Sequence, residues 1–265
     1  MVSDGTPHHL SKGWAMTEPT SPGPTAEGTA PDGVGALRAV VLDVPDLGTE
    51  AGFWAALTGG KAAREDYDWH TVQTPDHWEI AFQLAPDHVP PQWPGQEHPQ
   101  QAHIDLYVPD LAAASARAVE LGATVLRENE RWITLSDLAG HPFDLCLKEE
   151  SDGVTVMGPT FDCPDASELA GFWSGVLGAP VAYDADGVAM LGGDRPVLFQ
   201  SVEDYNPPRW PDPAYPQQVH LDVEVPDLEA GEAAVLALGA ARLPGEGKGF
   251  RVFADPAGHP FCLVL

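Results

Sequence analysis

Short stretches of apolar and polar residues follow one order along the chain. Residues 37–45 are apolar and rich in β-branched side chains, and Asp46 then opens an apolar segment that runs through Leu57 to Gly59-Gly60. Aspartate caps the first free N–H groups of a helix, and glycine adopts the left-handed conformation just beyond its end. This order therefore predicts a strand followed by a capped helix.

The same order recurs three more times, and short extended stretches follow the helices. The later helices are bracketed by Asp110 and Gly122, by Asp165 and Gly178, and by Asp227 and Gly239. The extended stretches include Arg131–Leu135, Phe143–Leu147, Phe250–Phe253 and Phe261–Leu265. A strand, a helix and two or three further strands, four times over, predict an α+β fold whose helices cover one face of each sheet.

Alternation within two strands separates an apolar face from a polar face, because successive strand side chains point to opposite sides. In the first half Ile104, Leu106 and Val108 alternate with His103, Asp105 and Tyr107. In the second half Leu221, Val223 and Val225 alternate with His220, Asp222 and Glu224. A polar row lines a cavity if the sheet curves around it and is merely solvated if it faces outward. The sequence leaves both interpretations open.

The two halves are copies of each other. Residues 90–111 and 207–228 share most of their sequence at an offset of 117 residues. A repeat of this length indicates a duplicated domain, since solenoid repeats span about 20–50 residues. We predict domains at 36–148 and 154–265, joined by a linker at 149–153. Residues 1–35 lack periodicity and predict a disordered leader, within which Met16 is an alternative start.

The amino-acid composition argues against some classes of binding partner. The formal net charge is −27, from 13 basic and 40 acidic residues, which argues against nucleic acid or anionic membrane as a partner. The three cysteines form no CxxC pair, and no apolar run is long enough to span a membrane. We therefore expect a cytoplasmic protein with reduced thiols and a small-molecule ligand. It would be a monomer or a homodimer.

Three of these motifs together resemble a known superfamily. They are a strand that begins with His and ends in Val-Pro-Asp-Leu, an Ala-rich helix that ends in Leu-Gly-Ala, and the motif Asp-x-x-Gly-x-Pro-Phe. This combination resembles the vicinal oxygen chelate superfamily, which includes glyoxalase I, extradiol dioxygenases and bleomycin-resistance proteins. The resemblance covers residues 37–265. It implies two tandem glyoxalase-like domains, each built of two paired βαβββ modules around a cavity.

In metal-dependent members of that superfamily, four positions surround a divalent ion. Carried over to domain 1, the resemblance gives His103, Asp144 and Gln83, with Ala39 in the fourth position. In domain 2 it gives His220, Cys262 and Gln200, with Gly158 in the fourth position. Because each set lacks one ligand, we expect a binding protein without an essential metal. The alternative is a lyase, isomerase or dioxygenase that uses Fe, Mn, Ni, Zn, Co or Mg at His103 and Asp144.

The remaining candidates each carry a structural alternative. Asp105 and Asp222 are candidate general bases or solvated strand residues. We expect ligand contacts from His103, Tyr107, His220 and Glu224, although a histidine at a strand start also serves a backbone hydrogen bond. Trp93 and Trp210 either stack on a ligand or pin their proline-rich connectors. Cys262 is a candidate nucleophile or an inert thiol, and domain 2 as a whole is either functional or a degenerate partner.

Overall fold

The chain folds into four copies of one strand–helix–strand unit. The computed structural model describes residues 32–95, 97–212 and 214–265. The predicted leader and Met16 lie outside these residues except for 32–35. There the backbone N–H groups of Val34 and Gly35 donate to the carbonyl of Val176 at 2.8 and 3.1 Å, so these residues belong to the fold.

Each unit, here called a module, consists of a strand, a helix and three strands. Module 1 contains β1 (Ala36–Val44), α1 (Leu47–Thr58), β2 (Lys61–Glu65), β3 (Trp69–Gln73) and β4 (Glu79–Leu84). Module 2 contains β5 (Ala102–Val108), α2 (Leu111–Glu120), β6 (Thr124–Glu128), β7 (Trp132–Ser136) and β8 (Pro142–Leu147). Module 3 contains β9 (Thr155–Cys163), α3 (Ala166–Leu177), β10 (Val181–Ala185), β11 (Val188–Leu191) and β12 (Leu198–Ser201). Module 4 contains β13 (Val219–Glu224), α4 (Leu228–Leu238), β14 (Ala241–Glu246), β15 (Phe250–Ala254) and β16 (Pro260–Val264).

All four helices start at the predicted aspartates. The carboxylates of Asp46, Asp110, Asp165 and Asp227 each accept a hydrogen bond from the N–H three residues further along, at 2.7–3.0 Å. Replacing such a cap by alanine typically costs about 1 kcal/mol. The caps therefore fix where each first strand gives way to its helix.

The modules pair across the two halves of the chain. One eight-stranded sheet has the order β14-β15-β16-β13-β1-β4-β3-β2 and combines modules 1 and 4; we call it sheet 1–4. The other has the order β10-β11-β12-β9-β5-β8-β7-β6 and combines modules 2 and 3; we call it sheet 2–3. The antiparallel pairs β1–β13 and β5–β9 join the modules at the centre of each sheet.

This pairing confirms the α+β class and corrects the expected module partners. We expected neighbouring modules, 1 with 2 and 3 with 4, to share a sheet. Instead the short segment 148–154 joins two modules within one sheet, while the longer connectors 85–101 and 202–218 cross from one sheet to the other.

The two long connectors meet through reciprocal hydrogen bonds. The backbone N–H of Gln101 donates to Oε1 of Gln218 at 3.0 Å, and the N–H of Gln218 donates to Oε1 of Gln101 at 3.1 Å. Both glutamines are buried. This exchange relates the halves by an approximate two-fold axis and ties the sheets together where the chain crosses between them.

One apolar core joins both sheets and the helices. Trp54 of α1 is fully buried, packs edge-on against Phe143 of β8 at 5.4 Å, and donates its indole N–H to Asp137 at 3.3 Å. Trp173 of α3 makes the same contacts with Phe261 and Asp255. A helix that belongs to one sheet therefore anchors on the other.

Two further expectations concern cysteines and membrane segments. Cys146, Cys163 and Cys262 are free thiols, as predicted. Across the residues that the structure describes, none of the helices combines the length and apolarity that a membrane crossing needs.

Glu50 is a carboxyl group buried in this core. Its side chain is 2% exposed, and its Oε1 atom has no hydrogen-bond partner among the described residues. Burial, together with the charge of neighbouring Asp137, raises the pKa of Glu50 to about 9. The equivalent position in the second half, at an offset of 119 residues, is Leu169.

We predict that Glu50→Leu stabilises the protein at pH 8. The folded state keeps the Glu50 proton up to about pH 9, whereas the unfolded chain releases it above the ordinary pKa of 4.5. Stability should therefore fall as pH rises through this interval. Relieving an unsatisfied buried carboxyl is worth about 1–3 kcal/mol. Urea unfolding at pH 5 to 9 should show a higher, flatter stability profile for the variant. Exposed Glu168→Gln is the control, and a steeper or lower profile for Glu50→Leu would contradict the prediction.

Candidate functional site

The polar row of β5 faces a cavity in sheet 2–3. Ile104 and Leu106 point into the apolar core, so His103 and Asp105 point to the opposite, concave side. There a cavity of about 150 Å³ opens between strands of modules 2 and 3. For His103 and Asp105, the cavity is the correct one of the two interpretations.

Three side chains converge at the floor of this cavity. The Nε2 atom of His103 lies 3.6 Å from Oδ1 of Asp105 and 3.9 Å from Oδ2 of Asp144. The parallel pairing of β5 with β8 sets Asp105 directly beside Asp144. One donor atom from each residue lies within 4.8 Å of the other two, so the three side chains form a potential chelating group.

Neighbouring residues hold part of this group and leave part of it unpaired. The Thr160 hydroxyl donates a short hydrogen bond to Oδ2 of Asp105, and the Cys146 thiol lies 3.8 Å from Oδ1. The Nδ1 atom of His103 and Oδ1 of Asp144 are buried and have no hydrogen-bond partner among the described residues. Unpaired buried polar atoms are costly, and they are typical of sites that complete their contacts with a ligand.

The electrostatics of the three side chains are coupled. Burial disfavours charge on His103, but the carboxylates of Asp105, Asp144 and Asp162 outweigh burial and raise its pKa to about 9. Burial raises the pKa of Asp144 to about 6, against the opposing charge of His103. His103 is therefore protonated at neutral pH, and its positive charge offsets that of the neighbouring carboxylates.

The expected glutamine partners were assigned to the wrong histidines. Gln200, which we grouped with His220, lies on β12 and lines the cavity of His103. Gln83, which we grouped with His103, lies on β4 in the sheet of His220. The reason is the exchange of modules between halves. The Nε2 atom of Gln200 donates to Asp162 at 2.6 Å.

The fourth ligand position of sheet 2–3 is closed by backbone. A Cβ atom at Gly158 would collide with the carbonyl oxygen of Pro196. Glycine is therefore required at this position, and no ligating side chain can replace it. Instead Asp105, paired in register with Gly158, contributes the third donor.

Sheet 1–4 carries an equivalent but altered group. His220, Asp222 and Cys262 also bring donor atoms within 4.8 Å of one another, and Nε2 of His220 lies 3.5 Å from Asp222. The thiol of Cys262 stands where sheet 2–3 has the carboxylate of Asp144. Gln217 lies 2.9 Å from both Nδ1 of His220 and Oδ1 of Asp43, so this histidine is held on its second nitrogen.

Trp69 fills the space over this second group. Its ring packs against a small cluster formed by Ala39, Val41 and Ala81, and lies 6.5 Å from the ring of His220. Trp69 pairs in register with Gln83, just as Val188 pairs with Gln200 in sheet 2–3. The small Val188 side chain leaves the cavity that the indole occupies in the other sheet.

The other candidate residues differ in whether they line the cavity. Trp93 lines the cavity of sheet 2–3, whereas Tyr107 is not among the described residues that do. Tyr107 instead lies under the ammonium of Lys148, 4.4 Å from its ring centroid. Glu224 is exposed and pairs with Arg38 at 2.6 Å. Trp210 is half-buried in the corresponding connector.

His141 and His259 are structural residues of two equivalent tight turns. The backbone N–H of His141 donates to Asp137 at 2.7 Å, and its ring contacts the carbonyl of Asp43. His259 contacts Asp255 through both its backbone and its ring. These histidines stabilise the turns whose aspartates accept a hydrogen bond from the helix tryptophans.

Sequence inspection missed several wall residues. They are Gln100, Arg127, Arg131, Trp132, Thr134, Met157 and Thr160. Most lie on β6, β7 and β9, whose alternation is weak in the sequence. A residue-by-residue comparison of the halves would have drawn attention to two of them, since Arg127 and Arg131 correspond to Gly245 and Gly249.

The chain matches one family model twice. The model described as a glyoxalase-like domain matches residues 39–146 and 159–264. Among curated proteins there is no significant match to the sequence.

Solved structures share the fold at low sequence identity. Glyoxalase I from Zea mays is 17% identical with a TM-score of 0.61, covering 86% of this chain and 92% of that chain. A proposed dioxygenase from Bacillus subtilis is 11% identical with a TM-score of 0.58, covering 88% and 85%. The cppA protein from Streptococcus pneumoniae is 9% identical with a TM-score of 0.52, covering 86% and 98%. At these identities the likeness extends to the fold alone.

We predict that Trp69→Val opens a cavity in sheet 1–4. The substitution copies Val188 and removes an indole that packs on small side chains. Because Trp69 is only half-buried, the loss of stability should stay below the roughly 3–5 kcal/mol typical of a fully buried tryptophan. A crystal structure of the variant and its urea unfolding curve test both parts. Collapse of the neighbouring strands into the space would contradict the prediction.

Proposed function

This chain belongs to the glyoxalase-like domain family of the vicinal oxygen chelate superfamily, and from that premise we propose that it binds a small organic molecule in the cavity of sheet 2–3. The observation that carries the proposal concerns two buried polar atoms at the floor of that cavity, on His103 and Asp144. Neither atom has a hydrogen-bond partner within the described part of the chain. Family membership by itself does not specify a ligand, since one fold hosts many chemistries.

The composition of the wall supports an organic ligand. Trp93, Trp132 and Leu198 contribute flat or apolar surface, and the floor contributes a few convergent polar groups. Small-molecule sites typically have this composition, in which apolar contacts supply affinity and a few polar groups fix orientation.

We assign binding to sheet 2–3 and a supporting role to sheet 1–4. The degenerate partner considered from the sequence was the second half of the chain. Since each sheet contains one module from each half, the unit that lost binding is a sheet. Trp69 over His220, and Cys262 in place of a carboxylate, support this assignment.

We also propose a cytoplasmic location, and a monomer or homodimer as the assembly. Three free thiols suit a reducing cytoplasm. Both sheets are completed within one chain, so a monomer suffices to build the cavity.

We predict that Val188→Trp abolishes binding in the cavity. The substitution copies Trp69 and puts an indole where the ligand would lie. Ligand-observed NMR against a library of small aromatic and aliphatic fragments should give hits for the natural protein that the variant loses. Val181→Trp, at an exposed position on β10, is the matched control and should keep them. Fragment binding that survives Val188→Trp and disappears in His220→Ala would contradict the assignment.

A second candidate function is a metal-dependent lyase, isomerase or dioxygenase reaction in the same cavity. The observation that favours it is the convergence of one imidazole and two carboxylates. A nitrogen and two oxygen donors suit borderline and hard divalent ions such as Mn²⁺, Fe²⁺, Ni²⁺ or Zn²⁺. The residues therefore fit an ion, with His103, Asp105 and Asp144 as its ligands.

A divalent ion bound there would polarise a substrate oxygen as a Lewis acid. The chain's own residues would prepare the site. Thr160 fixes one oxygen of Asp105, so the other oxygen stays directed at His103 and the cavity. In the metal-free alternative, Asp105 is the group placed to accept a proton from a bound hydroxyl.

We predict that any tight divalent ion binds through His103. Isothermal titration calorimetry with Mn²⁺, Ni²⁺ and Zn²⁺ should show the first equivalent weakened at least about tenfold by His103→Ala and by Asp144→Asn, because each removes a ligand. His220→Ala and Cys262→Ser are the controls in the other sheet. Unchanged affinity in His103→Ala would exclude this site, and no binding by any variant or ion would favour the metal-free binder.

A further inference from the structure

The cavity of sheet 2–3 has two arginines at its mouth that its sister sheet lacks. Resting on the proposed function, we infer that the ligand is a carboxylic acid whose carboxylate is held by Arg127 and Arg131, with a hydroxyl or carbonyl oxygen at its opposite end.

Both arginines belong to the β6–β7 hairpin and line the cavity. Arg127 lies on β6, and its guanidinium stacks on the ring of Trp93 at 4.6 Å. Arg131 directly precedes β7 and is exposed. Glu128 and Glu130 of the same hairpin are exposed and do not line the cavity. The two arginines of the hairpin therefore face the cavity, and its two glutamates do not.

The duplicated sheet shows that the fold does not need these cations. At an offset of 118 residues Arg127 corresponds to Gly245 and Arg131 to Gly249. The connector tryptophan is retained there, since a Cβ atom on Gly245 would lie 3.7 Å from the ring of Trp210. In sheet 1–4 the hairpin and the tryptophan form with glycine at both of these positions. The two arginines therefore accompany the open cavity.

The distribution of charge points to an anion. The chain has only 13 basic residues against 40 acidic ones, and two of them line this one cavity. Guanidinium is planar and matches a carboxylate with two parallel hydrogen bonds. A cationic ligand would be repelled at this mouth. The charge of Arg127 also lowers the pKa of Asp144, whereas Arg131 is exposed and can pair with an anionic ligand.

The floor of the cavity sets the orientation of the ligand. The floor sets two carboxylates, on Asp105 and Asp144, against the one imidazole of His103. The anionic end of the ligand therefore lies at the arginines, and a neutral oxygen faces His103. Trp93 and Trp132 flank the path between the two ends and suit a flat apolar body. Hydroxy-aromatic and oxo-aromatic acids combine these three parts.

The test compares two probes that differ in charge and hardly in shape, 4-hydroxybenzoate and 4-hydroxybenzamide. Calorimetric titration of the full chain in buffer with EDTA keeps carboxylate–metal contacts out of the measurement. We expect the acid to bind at least about tenfold more tightly than the amide, because charge-assisted hydrogen bonds to arginine are lost with the charge. Added salt should weaken the acid and leave the amide unchanged.

Single substitutions test whether the two arginines cause the difference in affinity between the acid and the amide. Arg131→Gln and Arg127→Gln should each lower the affinity for the acid toward that for the amide. The affinity for the amide should change little. Arg117→Gln, on the exposed side of α2, is the matched control. Because Arg127 also packs on Trp93, its variant is checked by thermal unfolding, and exposed Arg131 provides the independent test.

Each other outcome counts against the inference. Equal affinity for acid and amide, or full acid affinity in both arginine variants, overturns it and leaves the proposed binding function intact. Absence of saturable binding by the acid up to 10 mM also overturns it. If in addition no fragment of any charge binds the natural protein, the proposed function fails with it.

Discussion

The fold depends on two antiparallel strand pairs, β1 with β13 and β5 with β9, which lie at the centre of the two sheets. Each pair joins modules from opposite halves of the chain. His103, Asp105 and Thr160 take their positions in the cavity from the second pair. Asp144 and Gln200 lie on the strands hydrogen-bonded to it. The reciprocal contact between Gln101 and Gln218 stabilises the crossing of the connectors, and the helix tryptophans tie each module to the other sheet.

The two sheets share this scaffold and differ in a small number of side chains. Val188 and Trp69 occupy equivalent places, and they decide whether space remains over the histidine. A carboxylate in one sheet is a thiol in the other, and a pair of arginines is a pair of glycines. Both sheets keep the same arrangement of strands through these changes, and none of the exchanged side chains belongs to the large apolar core. Divergence in chemistry has therefore been possible without a loss of fold.

The strands and helices of each module can be predicted from the sequence. Which two modules share a sheet cannot. Asp46 and its three equivalents mark the helix starts, and the alternation around His103 correctly separates core from cavity. The partner of each module could not be predicted, because the pattern within a module is the same whichever module lies beside it. Gln83 and Gln200 were exchanged for that reason. Arg127 and Arg131 were missed because they lie at a hairpin, where alternation is too short to assign a face.

The exchange of modules has a consequence for how such a protein can change. Two separate copies of one half, paired in the same way, would form both sheets as a symmetric dimer, and any substitution would then appear in both cavities at once. Joining the copies through residues 148–154 removes that constraint, since each sheet now has its own version of every position. This covalent link adds almost nothing to the surface of either cavity. It nevertheless allows the residues of the two sites to be substituted independently. One site can be filled by an indole while the other stays open.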